Sequence, residues 1–169
     1  MDALLGSRGW KWHATDWAAA AVSGFAAGAV LMVLDLLWST IFNPDGPWRT
    51  SHMIAPIFSS ADGLRSAPYH FSVAVVSIAL ATHYALGIVF GVVLGAVMAQ
   101  FRLDTTPGRA ALSGAILGSL LYLLNFGLLV QFFPWLVDLR GWDTHVAHVV
   151  FGIVAAVLYW RLKRTPSEP

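Results

Sequence analysis

The chain has 169 residues, of which 57% are hydrophobic and only 11% charged, far from the roughly 25% charged of an ordinary soluble domain. A formal net charge of +1 leaves no surplus of basic residues to grip a phosphate backbone, which sets nucleic acid aside as a partner. With no cysteine, disulfide frameworks, thiolate metal sites, iron–sulfur clusters and cysteine nucleophiles are excluded as well.

A helix needs about 20 apolar residues to cross a bilayer core, and four stretches qualify: 17–42, 71–99, 110–133 and 144–160. The expected fold is therefore all-α, a single integral membrane domain over residues 1–169 with the lipid bilayer as its first partner. The first stretch is much longer than a signal-peptide core of about 7–15 residues, so it reads as a span. Continuous Ala, Leu, Val and Gly runs do not fit the alternating strands of a membrane barrel.

Between the first two spans, the connection 43–70 carries Asn43-Pro44-Asp45-Gly46-Pro47, then Met53-Ile54-Ala55-Pro56-Ile57-Phe58, then Asp62-Gly63. It reads as a loop with a short amphipathic piece that either lies on the membrane surface or dips between spans. Between the second and third spans, Asp104 suits a helix cap and Pro107 a helix start, so these spans are expected to form a tight antiparallel hairpin.

Counting Lys and Arg orients the chain. Arg8, Lys11, Arg102, Arg109, Arg161, Lys163 and Arg164 fall on one side, and Arg49, Arg65 and Arg140 on the other. The larger set belongs in the cytoplasm, which puts both termini inside. Two aromatic belts agree: Trp10, Trp12, Trp17 and Trp160 near the inner boundary, Trp38, Trp48, Trp135 and Trp142 near the outer one.

Span one contains Ser23-Gly24-x3-Gly28-x6-Asp35, and span three contains Ser113-Gly114-x3-Gly118-x6-Asn125. Span two holds His83-x3-Gly87-Ile88-Val89, and span four His148-x3-Gly152-Ile153-Val154. The matching order implies two tandem helical hairpins related by a pseudo-two-fold axis along the membrane normal. Small residues four apart let helix backbones approach where lipid supplies no hydrophobic drive, so Gly24, Gly28, Gly87, Gly91, Gly95, Gly114, Gly118 and Gly152 read as packing seams. Asp35 and Asn125 each lie seven residues beyond a seam glycine and both histidines lie four before one, so these polar groups share the seam faces and point into the bundle.

Counting residues from the span ends places Asp35, Asn125 and His148 in one layer towards the outer boundary, with His145 one turn outward of His148 and Tyr122 three residues before Asn125. His83 joins that layer if its span tilts or projects. An intramembrane carboxylate costs at least ~2.5 kcal/mol on insertion scales, which makes Asp35 a functional candidate with a histidine as its partner. Three chemistries are open. Asp35, His83, Asn125, His148 and His145 can supply ligands to a metal ion. His83 and His148 can form a bis-histidine haem b site. Asp35 beside a neutral imidazole can pass a proton or small cation, with His52 and His70 leading in from outside. Against these stands plain interhelical hydrogen bonding by Asn and His. His13, His52 and His70 otherwise read as solvated interface residues, and Arg49 and Arg65 as surface charges. No GxSxG elbow, HExxH, P-loop or dinucleotide fingerprint is present, so an enzyme is not expected.

Trp48…Met53-Ile54-Ala55, His83-Tyr84-Ala85-Leu86-Gly87, Tyr122-Leu123-Leu124-Asn125-Phe126, Phe133-Pro134-Trp135 and Ala147-His148-Val149-Val150-Phe151-Gly152 together carry a resemblance over residues 24–159. The chain resembles a family of small four-helix bacterial inner-membrane proteins of unassigned function. Some members carry a sodium:proline symporter label, but four spans lack the two five-helix repeats of such symporters. The resemblance implies location and topology: a multi-pass protein of the bacterial inner membrane. The functional expectation is a polar site that binds or conducts a small cation, as a homo-oligomer or alone. The alternative is a non-catalytic accessory or assembly subunit of a larger membrane complex.

Overall fold

The computed structural model describes residues 14–59 and 68–164, which form helices and turns and, among the described residues, no strand. Arg8, Lys11, Trp10, Trp12, His13, Arg65 and the Asp62-Gly63 pair lie outside them. Four helices are long and apolar enough to cross a membrane: α1 (Trp17–Phe42), α3 (Val73–Gln100), α4 (Pro107–Phe132) and α5 (Trp142–Leu162). The short α2 (Arg49–Ile54) continues into a 3₁₀ turn at Ala55–Ile57, and a second 3₁₀ segment, Pro134–Leu139, joins α4 to α5. All four long helices carry exposed Leu, Val, Ile or Phe side chains. Apolar surface of that extent on every helix suits lipid and not water.

Helix starts are set by side chains that accept the otherwise orphaned first-turn N–H groups. Asp16 caps α1 through the Ala19 amide at 3.0 Å, Ser72 caps α3, and Thr106 caps α4 through the Arg109 amide at 3.2 Å with Pro107 next in line. The cap expected from Asp104 is thus supplied by Thr106. Asp104 instead receives Lys163, which donates to both its carboxylate and its carbonyl oxygen, the latter at 2.8 Å. α1 stops at Asn43, whose side chain accepts from the Asp45 amide at 3.0 Å ahead of a left-handed Gly46.

Helix α1 packs along α3, α4 packs along α5, and α1 against α5 joins the two pairs. The expected tight hairpin of α3 with α4 does not form. Their loop is short, yet the two helices barely touch, because the small-residue faces of α3 and α4 are turned towards α1 and α5. Bulky Phe90, Val93, Leu117 and Leu121 line the gap as an apolar groove of about 260 Å³ floored by Phe151 and Gly152.

Two ends of the bundle are tied differently. At the end holding the α1 start and the α5 finish, Asp16 also accepts from the Arg164 amide at 3.0 Å, and Lys163 closes on Asp104. At the other end, called here the α2 end, the α2 segment docks on the bundle. Ala55 packs with Val75 and Ala79 of α3, and the Trp135 indole donates to the Met53 carbonyl at 3.0 Å. Arg49 pairs with Asp45 at 3.2 Å and reaches the Asp138 carbonyl at 2.9 Å. His52, expected at a solvated interface, is buried here, with Nε2 donating to the His70 carbonyl at 2.9 Å. Trp38 of α1 and Trp142 of α5 meet edge-to-face at 5.4 Å.

Candidate functional site

The glycines fix where the helices cross. A Cβ on Gly24 would collide with the Gly87 carbonyl oxygen and come within 2.8 Å of the Gly91 Cα, and one on Gly91 would strike Gly24. In the other pair, a Cβ on Gly114 would collide with the Gly152 carbonyl oxygen and fall 2.7 Å from the Ala156 Cβ, while one on Gly118 would meet the His148 carbonyl. Gly95 faces Ala20 and Tyr159, so it serves the α1–α5 side, and Gly28 faces the His83 and Tyr84 rings.

These crossings bring polar side chains together towards the α2 end. Side chains lean towards the N-terminus of their own helix. Asn125 on α4 and His148 on the antiparallel α5 therefore lean towards each other, and the Asn125 amide meets His148 Nε2 at 2.8 Å. The ring state follows from the second contact: Nδ1 lies 2.7 Å from the Thr144 carbonyl. A carbonyl can only accept, so Nδ1 carries the hydrogen and, in the neutral ring, Nε2 accepts from the Asn125 amide nitrogen. Asn125 Oδ1 is left buried without a hydrogen-bond partner among the described residues.

The backbone at Asn125 is altered as well. Residues Asn125–Leu129 form a π turn inside α4, starting at the residue that binds the histidine. Single π turns within α-helices recur at functional positions. Tyr122 completes this half, with its ring 4.7 Å from His145 and 5.7 Å from His148, while His145 Nε2 lies 3.2 Å from Ser119 Oγ.

In the α1–α3 half, Asp35 lies seven residues before the end of α1, about 10 Å along the axis. Its hydrogen-bond partner is not a histidine: Thr50 of α2 donates to Oδ1 at 3.3 Å. His83 turns to α1 itself, where Nε2 donates to the Gly28 carbonyl at 2.9 Å. Asp35 and His83 are within electrostatic reach of each other, as are His83 and His148, and Asp143 of α5 and Asp35. Among the described residues no Lys, Arg or His forms an ion pair with Asp35.

Asn125 and His148 are therefore in direct contact. Asp35, His83 and His145 hydrogen-bond to other partners: to Thr50, to the Gly28 carbonyl and to Ser119. Among the described residues no group of three His, Asp or Glu side chains is placed to hold a metal ion. The haem arrangement also lacks free ligands, because Nε2 of His83 and both nitrogens of His148 are engaged within the protein. Sequence reading missed Thr50, the Gly28 carbonyl and Ser119 as partners. Nothing local marks them, since their roles depend on how α2 docks and how the helices cross.

Comparison of the chain with family models, with curated proteins and with solved structures gave no match.

Proposed function

We propose that this chain is a multi-pass protein of the bacterial inner membrane, with both termini in the cytoplasm, in which Asp35 binds and releases a proton at the α2 end of the bundle. The observation that carries the reading is the setting of Asp35. It is a carboxyl within an apolar span, held by one neutral hydroxyl at 3.3 Å, with an imidazole in electrostatic reach and no cation paired to it among the described residues. Intramembrane carboxylates are costly, and a retained one with a histidine neighbour is suited to proton exchange.

The tandem-hairpin reading supports assigning the proton to this half. Gly24 meets Gly87 as Gly114 meets Gly152, and from those glycines the offsets to Asp35 and His83 equal the offsets to Asn125 and His148. Two duplicated hairpins related by a pseudo-two-fold axis would give this pattern. On that reading one half keeps an amide that cannot titrate and the other a carboxyl that can.

One observation favours a second reading, an accessory or assembly subunit of a larger membrane complex or a homo-oligomer. The Asn125–His148 hydrogen bond is a neutral interhelical link of the kind that fixes register. Reconstitution into liposomes with a pH-sensitive interior dye separates the two. Proton flux that is lost in Asp35→Asn and kept in Asn125→Ala supports the proton reading. Equal flux in wild type, Asp35→Asn and protein-free liposomes supports the subunit reading. Elemental analysis of the same preparations tests for bound metal, with none expected at stoichiometric level.

A further inference from the structure

The two helix pairs make the same crossing but use their polar residues differently, and that difference points to a movable group. In the α4–α5 pair the histidine leans outward and meets the residue eleven positions beyond the seam glycine, Asn125. In the α1–α3 pair His83 occupies the counterpart position relative to Gly87, and Asp35 the counterpart position relative to Gly24. Helix direction makes both lean towards each other, as in the other pair. The two nevertheless remain apart, Asp35 on Thr50 and His83 on the Gly28 carbonyl.

We infer that His83 is a switch with two acceptors: its Nε2–H moves between the Gly28 carbonyl and the Asp35 carboxylate, and the charge on Asp35 decides which. The inference rests on the proposed proton site and adds the step that reads its state. Because a carbonyl only accepts, His83 carries its hydrogen on Nε2 in the arrangement described, and the same N–H suits a carboxylate without change of tautomer. The Gly28 carbonyl lies within α1, where its main-chain role is helical, so His83 is a second donor to an acceptor already in use. Hydrogen bonds to an ionised acceptor are roughly twice as strong as those to a neutral one. With Asp35 ionised, the carboxylate draws His83 away from Gly28. With Asp35 protonated, that advantage is gone and His83 rests on Gly28, the arrangement seen here.

Other titratable groups facing the pair come from α5: Asp143 towards Asp35 and His148 towards His83. From α2 the pair meets the Thr50 hydroxyl, and the neighbouring Arg49 is committed to Asp45 and the Asp138 carbonyl. His148 is held at both nitrogens, so its bond to Asn125 serves as a fixed reference in the same molecule.

Magic-angle-spinning NMR on the full chain in lipid bilayers tests the switch. Carboxyl carbons of Asp and ring nitrogens of His are labelled, and Asp35→Asn and His83→Gln identify the cross-peak between Asp35 Cγ and His83 Nε2. The expected result is a cross-peak that appears as the pH is raised and vanishes as it is lowered, while the Asn125–His148 contact persists throughout. Absence of the cross-peak at every pH, with Asn125–His148 intact, overturns the switch. A cross-peak equally strong at every pH also overturns it. Liposome proton flux distinguishes this failure from that of the proton site, because flux with no cross-peak rejects only the role of His83, whereas no flux rejects the site itself.

Discussion

Replacing Gly114 with alanine is a direct test of how the α4–α5 pair is held. The added Cβ would fall 2.7 Å from the Ala156 Cβ and 2.8 Å from the Gly152 carbonyl carbon, with the Gly152 oxygen closer still, whereas ordinary contact begins at 3.4 Å. The helices must therefore part by at least about 0.7 Å at this point, and none of the obstructing atoms belongs to a flexible side chain that can swing away. Overpacking of a close contact costs typically ~1–3 kcal/mol. The upper part of that range, about 2–3 kcal/mol, is expected here because the neighbouring Gly118 and Gly152 contacts open with it, which is a roughly 30- to 150-fold fall in the folding equilibrium. Gly108→Ala is the internal control: nothing lies within 4 Å of its added Cβ, so the same chemical change should be neutral or stabilise by ~0.4–1 kcal/mol. Tryptophan fluorescence during titration of mixed lipid–detergent micelles with a denaturing detergent gives both values. Equal midpoints for Gly114→Ala and Gly108→Ala would refute the argument from close approach.

Asn125→Ala removes an interhelical hydrogen bond and should cost ~0.6 kcal/mol, at most about 1.7, in the same titration. Thr106→Ala deletes the α4 cap and should cost ~1 kcal/mol, with faster amide exchange at Arg109 as its local signature. The Asp16 carboxyl is held below the usual carboxylate range, first by the Ala19 N–H and then by the Arg164 N–H. A depressed folded value means that its contribution is complete above the ordinary Asp range near about 3.9 and is lost as the pH falls through the lower folded value. Protection of the Ala19 amide, taken relative to its intrinsic exchange rate at each pH, should therefore fall on that acid limb in wild type and be low at every pH in Asp16→Ala.

The four spans were legible because their signal is additive: twenty or so apolar residues in a row leave little for tertiary context to change, and the observed helix ends differ from the expected ones by three residues or fewer. Pairing was legible in part: the repeated glycine pattern implied the α1–α3 and α4–α5 pairs, and these are the pairs that pack. Adjacent spans joined by a short loop suggested an α3–α4 hairpin, but the small residues on each helix turn it towards another neighbour, and close backbone approach outweighs proximity in sequence. The polar residues were legible as a set because Asp, Asn and His stand out in apolar helices. Their individual bonds were not, since the Thr50 contact depends on docking of α2 and the His83 contact on a rotamer. His52 illustrates the same limit: it read as a solvated interface residue, yet α2 folds against α3 and buries it. The π turn at Asn125 had one local hint, Gly127 two residues on, which no periodicity argument registers.

Infrared difference spectroscopy of the protein in bilayers tests the proton site most directly, by titrating wild type and Asp35→Asn in parallel and subtracting. The account predicts a protonated-carboxyl band that comes and goes with pH in wild type and is missing from Asp35→Asn. Identical difference spectra for the two proteins would show that Asp35 exchanges no proton, and would contradict the account.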